Sequence, residues 1–354
     1  MKTGEKGKRP FASLLGRRIA VSFVSGLIAL NLLFLLPQLV PSSPLTVKMA
    51  QLAGAGGTAS ITGAGEAIGG SIPTALVEMY MEKFGVNDSL DRKFYLFWVR
   101  LFTMDYGYSY WQYPEPVMNL VTRALPWTLG LVIPIMPIGF VLGNFIGSRA
   151  AFKRDKLSNL LYIVSMLTTR APYYWFAIFL MLIFGVWLRW FPLYGAYSAR
   201  WIRPALRWEW FLDAAHHYAL PFLSLLPLAI GAWAVGMRAT ILHELESDYI
   251  HYSRQLGFRS SALRKSARDN SILPNFTNIP MIFTWLISST MLVEVVFAYP
   301  GLGTLIYQSA MNLDYPLFQA TFVMLILITI VGNLVIELLY AVLDPRIASG
   351  YVGE

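Results

Sequence analysis

The stretch from His243 to Asn275 reads HELESDYIHYSRQLGFRSSALRKSARDNSILPN, a long polar interruption in a chain otherwise built from apolar runs. Tyr249, Tyr252 and Leu256 recur at i, i+3 and i+7, so a short helix here presents a small aromatic and aliphatic face to something outside it. Gly257 supplies the left-handed backbone that ends such a helix. Ser260 or Ser261 can then N-cap a second helix running to Asn270, and Pro274 closes the unit. The expectation is helix, turn, helix, carrying the basic residues Arg254, Arg259, Arg264, Lys265 and Arg268. Both flanks are long and apolar enough to cross a bilayer.

Composition agrees with those flanks. The 354 residues are 56% hydrophobic and only 14% charged, with a mean hydropathy of +0.52. A soluble domain of this size is less apolar, so the chain reads as an all-α polytopic membrane protein in the lipid bilayer. The net charge of +8 is then a positive-inside signal and not a nucleic-acid footprint. The absence of cysteine excludes disulfides, thiolate metal sites and cysteine nucleophiles. His216, His217, His243 and His251 fall in what read as separate loops on opposite faces, so no metal site is expected.

Working outward, residues 1–18 form a basic cytoplasmic N-terminus and Ile19 to Val40 a first span. A secretory signal peptide is the competing reading. The apolar run is long for one and lacks a small-residue cleavage site directly after it. Residues 41–118 read as an extracytoplasmic insertion, with a Gly/Ala/Ser stretch at 54–71 and amphipathic pieces at Thr74–Phe84 and Leu90–Thr103. Residues 119–344 hold five further spans: Leu125–Gly147, Leu157–Trp187 broken at Arg170-Ala171-Pro172, Leu220–Ile241, Phe276–Phe297 and Leu317–Val342. Arg149, Lys153, Arg154 and Lys156 mark the cytoplasmic side after the second. Residues 345–354 are a cytoplasmic tail, so both termini lie inside and 243–275 is a cytoplasmic loop.

Several elements, in order, resemble one family. Glu244, Asp248-Tyr249-Ile250, Ser253-Arg254, Gly257 and Leu273-Pro274 resemble the coupling loop of ABC importer permeases, with Asp-Tyr-Ile standing where Glu-Ala-Ala is usual. Asp105-Tyr106-Gly107-Tyr108-Ser109 resembles the family's Asp-x-Gly-x-Ser element. Glu294-Val295-Val296-Phe297-Ala298-Tyr299-Pro300-Gly301-Leu302-Gly303 and the Asp344-Pro345-Arg346 tail are similar to its dipeptide, oligopeptide and nickel branch, as the first permease of the pair. The resemblance implies a type I permease fold of six transmembrane helices in the plasma membrane. It also implies partners: a second homologous permease, two ATPase subunits and an extracytoplasmic substrate-binding protein. The coupling loop, with Tyr252 and Leu256 on its face, would seat in the ATPase.

The sequence holds no phosphate-binding loop, no catalytic carboxylate pair placed in a loop and no dinucleotide fingerprint, so the chain has no visible means of hydrolysing ATP and no enzymatic activity or cofactor of its own is expected; the resemblance implies that partner ATPases bind ATP and Mg. A secondary transporter or channel would usually show internal repeats or several intramembrane acids, and only Glu294 and Glu337 qualify here. A membrane-embedded enzyme would need its histidines and carboxylates to converge. Family frequency favours peptides as cargo, with cello- or xylo-oligosaccharides an alternative that 15% aromatic residues would suit, and nickel a third. Arg170 stands deep in an apolar span, where a charge costs ~2.5 to 3.5 kcal/mol and should face a cavity or partner. With Tyr173, Tyr174, Glu294 and Phe297 it forms the candidate translocation path, pairing with Glu294 in one state of the cycle; capping carbonyls freed by Pro172 is the structural alternative.

Overall fold

The computed structural model describes residues 8–39, 88–153, 155–201, 204 and 207–343. Its helices are α1 (Lys8–Gln38), α2 (Leu90–Thr103), α3 (Val117–Phe152), α4 (Lys156–Arg170), α5 (Tyr173–Leu180) running into a π-helical turn (Met181–Trp187), α6 (Trp208–Leu245), α7 (Asp248–Gln255), α8 (Ser260–Thr277), α9 (Ile279–Val296), α10 (Leu302–Met311) and α11 (Tyr315–Leu343). No β-strand forms among the described residues. The stretch at 54–71, the piece at Thr74–Phe84, Arg154 and the Asp344-Pro345-Arg346 tail lie outside the described residues.

Among the described residues, five helices are long and apolar enough to cross a membrane: Ala20–Gln38 within α1, then α3, α6, α9 and Tyr315–Leu339 within α11. A sixth crossing requires α4 and Tyr173–Trp187 together, a pair bent by 110° at Arg170-Ala171-Pro172. Pro172 causes the break: it has no N–H to continue the ladder, and its ring disfavours helical backbone at the residue before it. Accordingly Ala171 is extended (φ −73°, ψ 142°). Phe23, Phe145, Leu167, Phe179 and Val331 are each more than half exposed. Such a surface suits hydrocarbon and not water, as expected of a multi-pass membrane protein.

The described helices fall into two units. The larger comprises residues 1–19, 124–304 and 328–354, and α6 is its axis: α4, α5, α8 and α9 all pack on it. Trp233, Met237 and Ile241 of α6 are almost wholly buried. A ridge of small residues brings α3 against the same helix. Gly139, Gly143 and Gly147 recur every four residues, and a methyl group on Gly143 would fall 2.3 Å from the Trp233 Cβ and 2.6 Å from the Ile230 carbonyl. Helices in lipid associate by such close approach, because no hydrophobic force drives them together. The small-xxx-small spacing is legible in the sequence, but only the structure shows which helix it approaches.

The smaller unit comprises residues 20–123 and 305–327. Phe34 of α1 packs edge-on against Phe94 of α2 with ring centroids 5.2 Å apart, and Leu33, Phe97 and Leu101 are buried. The Asp-x-Gly-x-Ser element is a turn: the Asp105 carboxylate accepts from the Gly107 amide at 3.0 Å and Gly107 takes φ +72°. The Ser109 hydroxyl donates to the carboxylate of Asp314, which also accepts from the Trp111 amide at 3.0 Å and from the Leu317 amide at 3.2 Å. Asp314 is therefore the N-cap of α11 and the anchor of this turn in one group.

Several expected boundaries move. The second and fourth spans are longer than read, at 36 and 38 residues, because helical backbone continues past the apolar window that hydropathy detects. The outer loop read as Trp190–Ala219 is already helical from Trp208, so His216, His217 and His243 lie in α6, and His251 in α7, not in loops. No group of metal-ligating side chains converges among the described residues. Arg238 of α6 is a second cation in an apolar span, and it stacks over the Tyr162 ring at 4.4 Å.

Candidate functional site

Residues 243–275 fold as two helices joined by a tight turn. Asp248 sits in the first turn of α7, where a carboxylate complements the positive end of the helix. The turn at its other end is a Schellman motif: the Phe258 amide donates to Ser253 O at 3.2 Å, the Gly257 amide donates to Arg254 O at 3.1 Å, and Gly257 takes φ +81°. The glycine expectation is met. The capping expectation is not: Arg259 occupies the N-cap of α8 without a side-chain bond, and Ser260 is the first helical residue. α8 also runs through Pro274 to Thr277 instead of ending at Asn270. Thr277 donates its hydroxyl to the Pro274 carbonyl at 2.6 Å.

A small core and a polar brace hold the pair. Ile250, Leu263 and Ala267 are buried together, with Leu245 packed on them. Glu244, in the last turn of α6, accepts from the Tyr249 hydroxyl at 2.6 Å and from Asn270 Nδ2 at 3.2 Å. Asn270 Nδ2 also reaches the Tyr249 oxygen at 3.0 Å. Burial, and then the bond to Glu244, push the Tyr249 hydroxyl pKa up. Three helices, α6, α7 and α8, thus meet in one three-residue network. Deeper in, Asn275 is 2% exposed and donates to Asn144 Oδ1 of α3 at 2.8 Å, which ties the root of α8 to the helix bundle.

What remains outside is an apolar and basic tip. Tyr252, Leu256 and Phe258 are about 60% exposed, Tyr249 and Leu273 less so. Asp248, Arg254 and Pro274 are exposed and Ser253 is half-buried. Tyr249 therefore divides its roles: its ring edge is open and its hydroxyl belongs to the brace. A rigid helix pair with an apolar point and a basic rim, rooted in two long helices, can transmit displacement between a partner and the bundle.

The path residues do not come together. Glu294 is fully buried: it accepts from the Thr128 hydroxyl at 2.7 Å and from the Gly303 amide at 2.6 Å. Phe297 is 1% exposed, and its carbonyl accepts from the Gly195 amide at 2.9 Å. Neither faces an open path, and Glu294 is not paired with Arg170. The segment Glu294–Gly303 is a structural knot, in which Gly301 and Gly303 leave room for the carboxyl group; a Cβ on Gly301 would lie 2.2 Å from it. Arg170 is exposed at the end of α4. No described acceptor receives a hydrogen bond from Arg170, so the capping alternative is not realised either. Tyr173 and Tyr174 follow at the start of α5, their rings edge to face at 6.0 Å.

Residues 128–349, the segment from Thr128 through α7 and α8 to the last span, match the family described as binding-protein-dependent transport system inner membrane component. The chain belongs to this family of ABC importer permeases. Its relatives include the oligopeptide transport system permease protein AppB of Bacillus subtilis, 31% identical over 76% of this chain and 84% of that protein. The oligopeptide permease OppB of Haemophilus influenzae is 26% identical over 94% of this chain and 97% of its own, and the glutathione permease GsiC of Pectobacterium atrosepticum 28% identical over 91% and 94%. Among solved structures, the inward-facing methionine ABC transporter MetNI matches with a TM-score of 0.50 at 17% identity, covering 65% of this chain and 99% of that one. That likeness shows the fold, a type I importer permease.

Proposed function

We propose that this permease forms half of the translocation path of an ATP-driven importer for short peptides, and that residues 243–275 dock it to an ATPase. The observation that carries the reading is the braced helix pair: an exposed Tyr252, Leu256 and Phe258 tip on a unit tied to α6 by Glu244, Tyr249 and Asn270. A tip that moves without deforming hands its displacement to α6 and α9, the two spans it joins. ATP binding at the partner ATPases then shifts an inward-open and outward-open equilibrium by its differential affinity for the two states. The partners are a second homologous permease, two ATPases and an extracytoplasmic binding protein. Both termini and the docking unit lie in the cytoplasm, and residues 41–118 outside. Arg170, Tyr173 and Tyr174 line the path.

Peptide is preferred because relatives spanning most of the chain are named for oligopeptides and glutathione. One observation favours oligosaccharide: an open pocket of about 600 Å³ between Trp201 and Trp208 with Arg200, Arg207 and Glu209 at its edges, a setting in which sugar rings can stack. Purification through a tag on this chain should recover two ATPases and a sister permease. The binding protein of the assembly should then retain labelled di- to pentapeptides and not cello- or xylo-oligosaccharides. Recovery of the chain alone, transporting unaided, would remove the importer reading; retention of oligosaccharides only would replace peptide as cargo.

A further inference from the structure

An apolar pocket of about 210 Å³ opens where α4 bends into α5, walled by Leu167, Ala171, Tyr173 and Phe176 with Leu228 of α6 behind. Thr168 and Ser224 also line it, and the hydroxyls of both are engaged with backbone. Thr168 donates to the carbonyls of Ser165 at 2.9 Å and Pro227 at 3.1 Å, and Ser224 donates to Pro221 at 2.7 Å. The pocket therefore offers hydrocarbon and ring surface and no free polar group of its own at those positions. A cavity of about 150 Å³ with such a lining admits a benzene ring, so this one is large enough for a leucine or phenylalanine side chain.

Arg170 ends α4 and immediately precedes Ala171, a residue of the pocket wall. Its guanidinium is exposed and forms no hydrogen bond or ion pair with any described residue. Two structural explanations for this cation have gone: Glu294 is held by Thr128 and Gly303, and no carbonyl among the described residues accepts a hydrogen bond from Arg170. A guanidinium with no partner among the described residues is suited to a carboxylate, which it grips through two parallel N–H donors.

We propose that Arg170 and this pocket form a subsite for the C-terminal end of a peptide in transit. The guanidinium takes the terminal carboxylate and the pocket takes the last side chain when that side chain is apolar. The two features suit a single ligand residue, because carboxylate and side chain leave the same Cα and the pocket wall begins at the residue after the arginine. The inference rests on the peptide reading above and adds the end of the peptide that is recognised.

The test uses the complete importer with its own binding protein in proteoliposomes, and three labelled tripeptides: Ala-Ala-Phe as free acid, the same peptide as C-terminal amide, and Ala-Ala-Gly as free acid. The binding protein is common to every arm, so its preference cancels when acid-to-amide uptake ratios are compared between variants. Arg170→Gln should lower uptake of the Ala-Ala-Phe acid by about tenfold, the order expected for loss of one charge-assisted pair, and leave the amide within about twofold. Ala171→Leu, which fills the pocket from its rim, should slow Ala-Ala-Phe and spare Ala-Ala-Gly. If acid and amide fall together, or neither falls, Arg170 serves the subunit interface or the lipid and the proposal is overturned. If Arg170→Gln does not assemble with its ATPases, Arg170→Lys decides: the ratio must fall with the two-pronged donor gone, and an unchanged ratio overturns the proposal. Absence of peptide uptake by the wild-type importer would instead overturn the peptide reading itself, a failure distinguishable from loss of the subsite alone.

Discussion

The Thr128 hydroxyl donates a 2.7 Å hydrogen bond to Glu294 Oε1 while its oxygen accepts from the Leu302 amide at 2.8 Å, so one threonine of α3 joins the end of α9 to the start of α10. The second carboxyl oxygen takes the Gly303 amide. Glu294 is thereby an internal cap and not a free intramembrane charge. Glu294→Ala would leave a buried hydroxyl and a buried amide without partners, at about 1 to 3 kcal/mol for each. Glu294→Gln keeps an acceptor and should cost less. Thermal unfolding of the detergent-solubilised importer should rank wild type, Glu294→Gln, Glu294→Ala in falling order, and Gly301→Ala should resemble Glu294→Ala. The exchange Arg170→Glu with Glu294→Arg should give no recovery over the worse single variant; recovered uptake would restore the discarded ion pair.

Gly257 has φ +81° and open space around it, with no atom within 4 Å of an added Cβ. Within this chain the effect of substitution there is backbone strain. Gly257→Val should cost roughly 1 to 3 kcal/mol in the turn and skew α7 against α8. Ligand-stimulated ATPase and uptake should fall while the subunits still copurify. Gly257→Asn, a side chain that tolerates the left-handed region, should retain most of the coupling. Full stimulation in the valine variant would mean that the turn transmits nothing.

The brace predicts an interaction between positions. Tyr249→Phe and Asn270→Ala each remove one bond to Glu244, and the double variant should lose less coupling than the sum of the two, since all three residues form one network. ATPase activity per transported peptide measures the slip. Strict additivity would show that Tyr249 and Asn270 act separately, with Tyr249 contributing through its exposed ring edge.

The glycine ridge of α3 gives a matched pair. Gly143→Leu forces atoms into the Ile230 carbonyl and Trp233 Cβ, and should prevent accumulation of a stable subunit. Gly130→Ala, on the same helix with nothing within 4 Å of the new methyl, should accumulate normally. Equal tolerance at both positions, measured by thermal stability after extraction, would count against close packing of α3 on α6.

Sidedness is open to direct labelling, because the chain has no cysteine. Ser198 would be a poor probe: its hydroxyl and amide both hold Asp213, at 2.5 and 2.6 Å. The neighbouring Ala199 is exposed. Ala199→Cys should react with an impermeant maleimide from outside intact cells, and Ser260→Cys only after the cytoplasmic face is opened. Labelling of both from one side would invert the topology and remove the docking unit from the ATPases.

Much of this architecture was legible from local chemistry. Apolar runs longer than a bilayer core, the basic loops between them, the glycine after Leu256 and the amphipathic piece Leu90–Thr103 are each written within a few residues of where they act. Each is therefore set by local chemistry without any tertiary contact, and the break at Arg170-Ala171-Pro172 follows from proline stereochemistry alone. Helix ends were less legible, as α6 and α8 show, because a helix packed on neighbours keeps its backbone bonds past the point where hydropathy or a proline suggests a stop. The roles of charged side chains were not legible at all. Glu294, Asp314 and Arg170 are each a lone ionisable residue beside apolar sequence. Whether such a group is an internal cap, an anchor for a turn 205 residues away or a free cation beside a pocket depends on which donors and acceptors the tertiary fold brings within about 3 Å, and sequence separation carries no information about that distance.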